Sequence, residues 1–264
     1  MASNAKTVQE RYTDPMREEA RFGYSRANGM EAHYTEKTLA KLVKSTDGVL
    51  EVGCATGRYG FFLADKCHSY LGVDLSPAHV NFFNERIAKT GAANLKVQLG
   101  DAMRLDGIAD EGFDMVLVLG PMYHLPPEER DAAFAESKRV CKTGGSLVYA
   151  YINTLGVYAW ASAAAPEHYP NAHANDCLLH LGINDIHPDL FFFTSPEAIA
   201  ADAERNGLTV VKHVGVDFTL FVNVINNLPE ERLAAWMELT DRMSESPSCV
   251  GLSNHALMLC RKAE

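Results

Sequence analysis

Apolar positions along the chain follow two periods. Short runs rich in β-branched and other apolar residues lie at 49–52, 69–74, 95–99, 113–119, 146–151, 208–216 and 255–261, each of strand length. Stretches with helical spacing separate them. In 31–44 the apolar positions are Tyr34, Leu39, Leu42 and Val43. Helical character returns at 61–64, directly after a glycine-rich turn. Ser76 reads as an N-cap with Pro77 at the first helical position. Val80, Phe83 and Ile87 then line one face, and Gly91 ends the helix. Another helix opens at Pro127-Glu128-Glu129 and closes with Lys138 and Arg139, whose charge suits its C-terminal end. Gly144-Gly145 turns into the fifth strand. Further helices are predicted from the 194–197 capping motif to Asn206, stopped by Gly207, and over 228–243. Strand and helix alternate, which predicts a doubly wound α/β domain.

Two segments depart from this alternation. Residues 1–30 are polar, with Pro15, Gly23 and Gly29 as breakers and aromatic residues at Tyr12, Phe22 and Tyr24. They read as a partly helical lead-in, in which Tyr12, Tyr24 and Arg26 could close over the cofactor as a lid or belong to a merely packed or disordered leader. Residues 152–194 mix helical and loop signals and hold Tyr158, Trp160, Tyr169, four histidines and the run Phe191-Phe192-Phe193. The chain therefore reads as one domain over 1–264, with a lead-in at 1–30. A cap at 152–194 is inserted between the fifth strand and the following helix.

The first strand runs into Gly53-Cys54-Ala55-Thr56-Gly57 and then into a helix. Strand, glycine turn and helix form a cofactor cradle in α/β sheets, because glycine admits close backbone approach and a helix start offers unpaired N–H groups. Asp74 closes the second strand, where a carboxylate can accept both hydrogen bonds of a ribose diol. These features fit either NAD or S-adenosylmethionine. The chain lacks Gly-x-Gly-x-x-Gly, since Ala55 takes the place of the middle glycine. Glu51 lies inside the end of the first strand, Gly100-Asp101-Ala102 follows the third, and the fourth ends in Gly120-Pro121-Met122-Tyr123-His124-Leu125.

This set, in this order, resembles the class I S-adenosylmethionine-dependent methyltransferases, above all bacterial small-molecule enzymes with a Gly-Pro-Leu-Tyr-His-Leu-like fourth motif. The likeness runs from about residue 48 to 151 and more loosely beyond. It implies a Rossmann-like, seven-stranded, mostly parallel sheet whose last strand is antiparallel. It also implies S-adenosylmethionine as cofactor. Glu51 would then lie beneath the methionine end, with the backbone of Gly53, Cys54, Ala55 and Gly57 beside it. Asp74 would hold the ribose, and Leu75 would cover one adenine face. Asp101 and Ala102 would meet the adenine edge, and Leu119 and Gly120 would touch the cofactor through their backbone. Tyr123 and His124 stand beside the expected methyl group and are the catalytic candidates. His124 could act as a general base or could shape the loop.

Composition narrows the acceptor. The formal net charge is −10 and no run of Lys or Arg occurs, which argues against a nucleic-acid partner. Gly120 also lacks the side chain with which Asp/Asn-Pro-Pro-Tyr/Phe enzymes hold a reacting amine. The expected activity is methyl transfer to a small molecule, with oxygen slightly preferred over nitrogen or carbon. The alternatives are a nucleic-acid or protein methyltransferase, a non-catalytic S-adenosylmethionine-binding protein, and an NAD-dependent reductase. The six cysteines form no Cys-x-x-Cys pair, so reduced thiols and a cytoplasmic location are expected. No metal is expected, because His168, His173, His180 and His187 lack paired ligand spacing. No apolar run is long enough for a membrane. A homodimer is left open. The acceptor pocket is expected from residues 152–194, aided by the lead-in and by 217–254.

Overall fold

Alternation along the strands sorts their side chains onto two cores. The computed structural model describes residues 4–263. The strands are β1 (Gly48–Val52), β2 (Ser69–Asp74), β3 (Leu95–Leu99), β4 (Phe113–Val118), β5 (Cys141–Ile152), β6 (Leu208–Gly215) and β7 (His255–Lys262). Leu50, Val52, Val116, Val118, Leu147, Tyr149 and Met258 pack on one face of the sheet, against helices Pro127–Val140 and Pro196–Arg205. Val49, Met115, Leu117, Val148, Leu257 and Leu259 pack on the other, with helices Arg26–Leu42, Arg58–Leu63, Pro77–Thr90 and Glu230–Glu245. A period of two puts neighbouring residues on opposite faces, and helices cover both.

The sheet order is β3-β2-β1-β4-β5-β7-β6, parallel except for β7, which runs antiparallel to β5 and β6. This is the Rossmann-like seven-stranded sheet that the resemblance implied. Strand order reverses between β1 and β4, so a crevice opens above their C-terminal ends. Antiparallel β7 brings its first residue, His255, to the same edge, paired with Ile152 at the end of β5.

Local signals place most boundaries. Ser76 caps its helix by accepting from the His79 amide, and Gly91 ends it at φ 68°. Two boundaries differ from expectation. β5 begins at Cys141, ahead of the glycine pair, and its register against β4 slips between Phe113 and Met115. A Cβ on Gly145 would stand 2.6 Å from Cys141 Sγ and 2.8 Å from the Lys142 carbonyl, so the bulge needs glycine there. Helix Arg26–Leu42 starts earlier than 31, capped by Ser25, with Gly29 inside it. An interior glycine costs about 1 kcal/mol relative to alanine. Burial of Ala27, Met30, Tyr34 and Leu39 outweighs that cost. The lead-in adds helices Ala5–Arg11 and Pro15–Arg21. Among the described residues no helix is long and apolar enough to cross a membrane.

Candidate active site

The crevice above β1 and β4 is a cleft of about 880 Å³. Its floor is the loop after β1. Gly53 and Gly57 take φ 82° and 87°, and Ala55 takes φ 45°. A Cβ on Gly53 would stand 2.6 Å from Pro121 Cδ, and one on Gly57 would enter the Phe83 ring at 2.3 Å. Alanine in the left-handed region costs about 1–2 kcal/mol. The Ala55 amide donates to Asp74 Oδ2 at 2.8 Å, which offsets part of that cost.

Asp74 joins two loops. Its Oδ1 accepts from the Ser76 amide at 2.9 Å while Oδ2 holds Ala55. A carboxylate offers about four acceptor sites, so two bonds leave capacity for a diol. Glu51 is buried on the floor and accepts from the Tyr70 hydroxyl. Burial pushes its carboxyl up to about 8; the Tyr70 bond opposes that shift and the nearby Asp74 charge adds to it. A carboxyl in this state gains charge readily when a cation arrives. Asp101 accepts from the Met103 amide at 2.9 Å, holding the turn after β3. Glu51, Gly53, Cys54, Ala55, Asp74, Leu75, Asp101, Ala102, Leu119 and Gly120 all line the cleft. Gly57 does not line it; it caps helix Arg58–Leu63 instead. An acid for an ammonium, an acid for a diol and a polar turn for a base form a donor set that fits S-adenosylmethionine.

The opposite wall holds Tyr123, His124, Ile152, Trp160, Phe191 and His255. His124 is buried, with Nδ1 2.7 Å from the Leu190 carbonyl and Nε2 3.0 Å from the Tyr12 hydroxyl. A carbonyl only accepts, so Nδ1 carries the proton and Nε2 accepts from Tyr12. Burial lowers the imidazole to about 4, against the opposing effect of the Leu190 bond. Burial likewise raises the Tyr123 hydroxyl well above its ordinary range. Of the phenylalanine run, Phe191 packs on His124 at a ring distance of 5.1 Å, and the Phe192 amide donates to the Tyr123 carbonyl at 2.9 Å. Buried Arg130 donates to the carbonyls of Met122 (3.0 Å) and Phe192 (3.2 Å), tying the loop after β4 to the inserted segment. Tyr158 instead turns its hydroxyl to Asn175.

Sequence reasoning missed several wall residues. Gln9 donates to the Leu75 carbonyl at 3.0 Å, and Asn4 donates to the His124 carbonyl at 2.6 Å. Tyr12 and Tyr24 line the cleft, whereas Arg26 turns away and pairs with Glu230 at 2.6 Å. Arg21 donates to both oxygens of Glu31, at 2.9 and 3.3 Å. His255 Nδ1 lies 2.7 Å from Asp217 Oδ2 and 3.9 Å from Glu31 Oε2. Burial alone would lower that imidazole, but Glu31 and Asp217 leave it raised. Ligand atoms of Glu31, Asp217 and His255 lie within 4.8 Å of one another. The Arg21 guanidinium already supplies the cation there, so the group reads as an ion network. None of the residues in 217–254 lines the cleft, and Asp217 reaches it through His255. Among the histidines of the insert, His180 pairs with Asp176 at 3.0 Å.

Residues 49–145, which carry the glycine loop, Asp74, Asp101 and the loop after β4, match the model of a methyltransferase domain family. Over these residues the chain carries a methyltransferase domain. Solved structures share its fold. The protein seen with the Haloferax volcanii Trm112 methyltransferase activator is 16% identical, covering 97% of this chain and 98% of its own, with a TM-score of 0.62. A Pyrococcus horikoshii protein is 17% identical, covering 98% and 97%, with a TM-score of 0.59. An S-adenosylmethionine-dependent methyltransferase from Mesorhizobium loti is 12% identical, covering 86% and 95%, with a TM-score of 0.57. At these identities the likeness shows the fold. A methyltransferase domain implies S-adenosylmethionine as the cofactor.

Proposed function

We propose that the chain is an S-adenosylmethionine-dependent methyltransferase that acts on a small-molecule acceptor, with oxygen slightly preferred as the atom methylated. One observation carries this reading. The lead-in crosses the mouth of the cleft and bonds to both walls, through Gln9 to Leu75 and through Asn4 and Tyr12 to His124. The acceptor space is thereby roofed by the chain itself, which suits a ligand that can be enclosed. The net charge of −10 adds that a phosphate backbone would be repelled. In this reading the lead-in forms a lid over its described residues, 4–30, with residues 1–3 lying outside them, and 152–194 forms a cap. The six free cysteines suit a reducing, cytoplasmic compartment.

Bound S-adenosylmethionine supplies an activated methyl group. The chain aligns and shields it. Glu51 takes the ammonium, Asp74 the diol, and Asp101 with Ala102 the adenine edge. Leu75 covers the base, and the backbone from Gly53 to Thr56, Leu119 and Gly120 shapes the floor. Tyr123 orients the acceptor. His124, neutral and bonded at both nitrogens, holds Tyr123 and Tyr12 in place. Alignment and exclusion of water are the main needs of an in-line displacement.

Methyl-tritiated S-adenosylmethionine, offered in turn with the small-molecule, RNA and protein fractions of a cell extract, tests the reading. Label should pass to the small-molecule fraction. Transfer only to RNA or protein would refute it.

A further inference from the structure

Tyr123 and His255 face each other at the acceptor end of the cleft, with ring centroids 6.1 Å apart. A Cβ on Gly120 would stand 3.7 Å from the Tyr123 hydroxyl, so that hydroxyl hangs over the floor of the site. His255 is held rigidly. Asp217 grips it twice: Oδ1 accepts from its backbone amide at 2.8 Å and Oδ2 meets its Nδ1 at 2.7 Å. Asp217 is itself buried and fixed by Ser253, whose hydroxyl accepts from its amide at 3.1 Å. With Nδ1 bound to a carboxylate, the neutral ring carries its proton there and presents Nε2 as a base.

We propose that His255, aimed by Asp217, takes the proton of the acceptor during methyl transfer. The substrate class follows: a hydroxyl, thiol or protonated amine, which must shed a proton, rather than a tertiary amine or thioether, which has none. This inference rests on the small-molecule reading above. In the step, the acceptor proton passes to Nε2, before attack for a protonated amine, which must first regain its lone pair, and during attack for a hydroxyl or thiol. The acceptor heteroatom bonds to the methyl carbon as the carbon–sulfur bond breaks and its electron pair returns to sulfur, and the imidazolium is stabilised by Asp217.

The charged surroundings suit the role. Asp217 and Glu31 face the ring from the end of β6 and from the Arg26–Leu42 helix. Arg21, from the lead-in, neutralises Glu31 and is shared with Glu18 at 3.1 Å. Tyr123 approaches from the loop after β4 with its hydroxyl protonated. Of the two carboxylates facing the ring, Arg21 offsets only one, and it is shared with Glu18, so negative charge remains in excess and favours proton uptake by His255. His124, by contrast, has Nε2 filled by Tyr12.

Imidazole NMR of the full chain tests the proposal without an acceptor. S-adenosylhomocysteine binding is first confirmed by calorimetry. Its absence would sink the cofactor site itself and be distinguishable from failure of the base. The His255 resonances, assigned with His255→Gln, should titrate above the ordinary histidine range. Asp217→Asn should lower that midpoint by about 1 pH unit or more, and Glu31→Gln should move it the same way. Replacing S-adenosylhomocysteine by S-adenosylmethionine should lower it again, because a sulfonium beside the ring opposes a second cation. An identical midpoint in both complexes would overturn the proposal, as would one indifferent to both carboxylates. For any phenol, thiol or primary amine that the wild type methylates, His255→Gln should reduce kcat about a hundredfold or more. Its affinity for S-adenosylhomocysteine should hold. An unchanged kcat would also overturn the proposal.

Discussion

The Tyr12 hydroxyl lies 3.0 Å from His124 Nε2, although 112 residues separate them in the chain. This bond ties the lead-in to the loop after β4. Ser76 adds a second tie, its hydroxyl donating to the Tyr12 carbonyl at 2.6 Å. Tyr12 thus touches the Asp74–Ser76 wall of the cleft through its backbone and the Tyr123–His124 wall through its side chain.

Tyr12→Phe should loosen the roof without unfolding the sheet. It leaves a buried nitrogen of His124 without its donor, at a cost of about 1–3 kcal/mol. At about 2–4 °C per kcal/mol, the melting temperature should fall measurably. Hydrogen exchange should quicken over residues 5–21 and leave β1, β4 and β5 protected. A uniform rise in exchange across the sheet would show that the bond supports the whole fold instead.

Asp74→Ala should weaken S-adenosylhomocysteine binding about ten- to a hundredfold, the loss expected for hydrogen bonds to a charged acceptor. Because Asp74 also fixes the Ala55 and Ser76 amides, melting temperature should drop as well. Calorimetric affinity equal to wild type would assign the ribose to another group.

That Gly53, Glu51, Asp74 and Asp101 share one wall of the cleft was legible because it is local. Each sits at or just after a strand end, and the strands are marked by runs of apolar residues within a few positions of them. Those strand ends need no more than alternation and a glycine turn to be read. The opposite wall is assembled from distant pieces. Arg130, buried between Met122 and Phe192, looks like an ordinary polar residue of an amphipathic helix. His255 opens an apolar strand, and Asp217 follows another; only the antiparallel placement of β7 brings them together at the edge. The lead-in was obscured by Pro15, which starts a helix rather than ending one, and by Gly29, which lies inside one.

Glu51 should make cofactor binding release a proton near neutral pH. With its carboxyl raised to about 8, it is largely protonated at pH 7 in the free protein. An ammonium placed against it lowers that value, so the proton leaves on binding. The heat of S-adenosylhomocysteine binding at pH 7 should therefore vary with the ionisation enthalpy of the buffer. Glu51→Gln should remove that dependence. Equal heats in phosphate and Tris for the wild type would mean that Glu51 is already ionised or never meets the ammonium.

His124 should destabilise the fold as pH falls. Its imidazole is lowered from 6.5 to about 4 by burial, so the folded chain binds fewer protons than the unfolded chain between those values. The sign follows from linkage: the contribution is fully present above about pH 6.5 and is lost as pH falls toward about 4. The whole shift corresponds to about 3 kcal/mol. Acidic ion pairs also weaken at low pH, and they act mainly below pH 5, so the informative window is 6.5 to 5. There His124 contributes a loss of stability with a slope approaching about 1.4 kcal/mol per pH unit. Glu51 and His255 oppose this trend, because their raised values add stability that is present at low pH and lost as pH rises, so the effect is read as a difference between two proteins. His124→Gln keeps a polar group beside Leu190 and Tyr12 but cannot titrate. Its urea-unfolding free energy should be lower than wild type at pH 7.5, and the gap between the two should narrow as pH falls from 6.5 to 5. Parallel curves for the two proteins across that window would show that His124 does not carry the acid sensitivity.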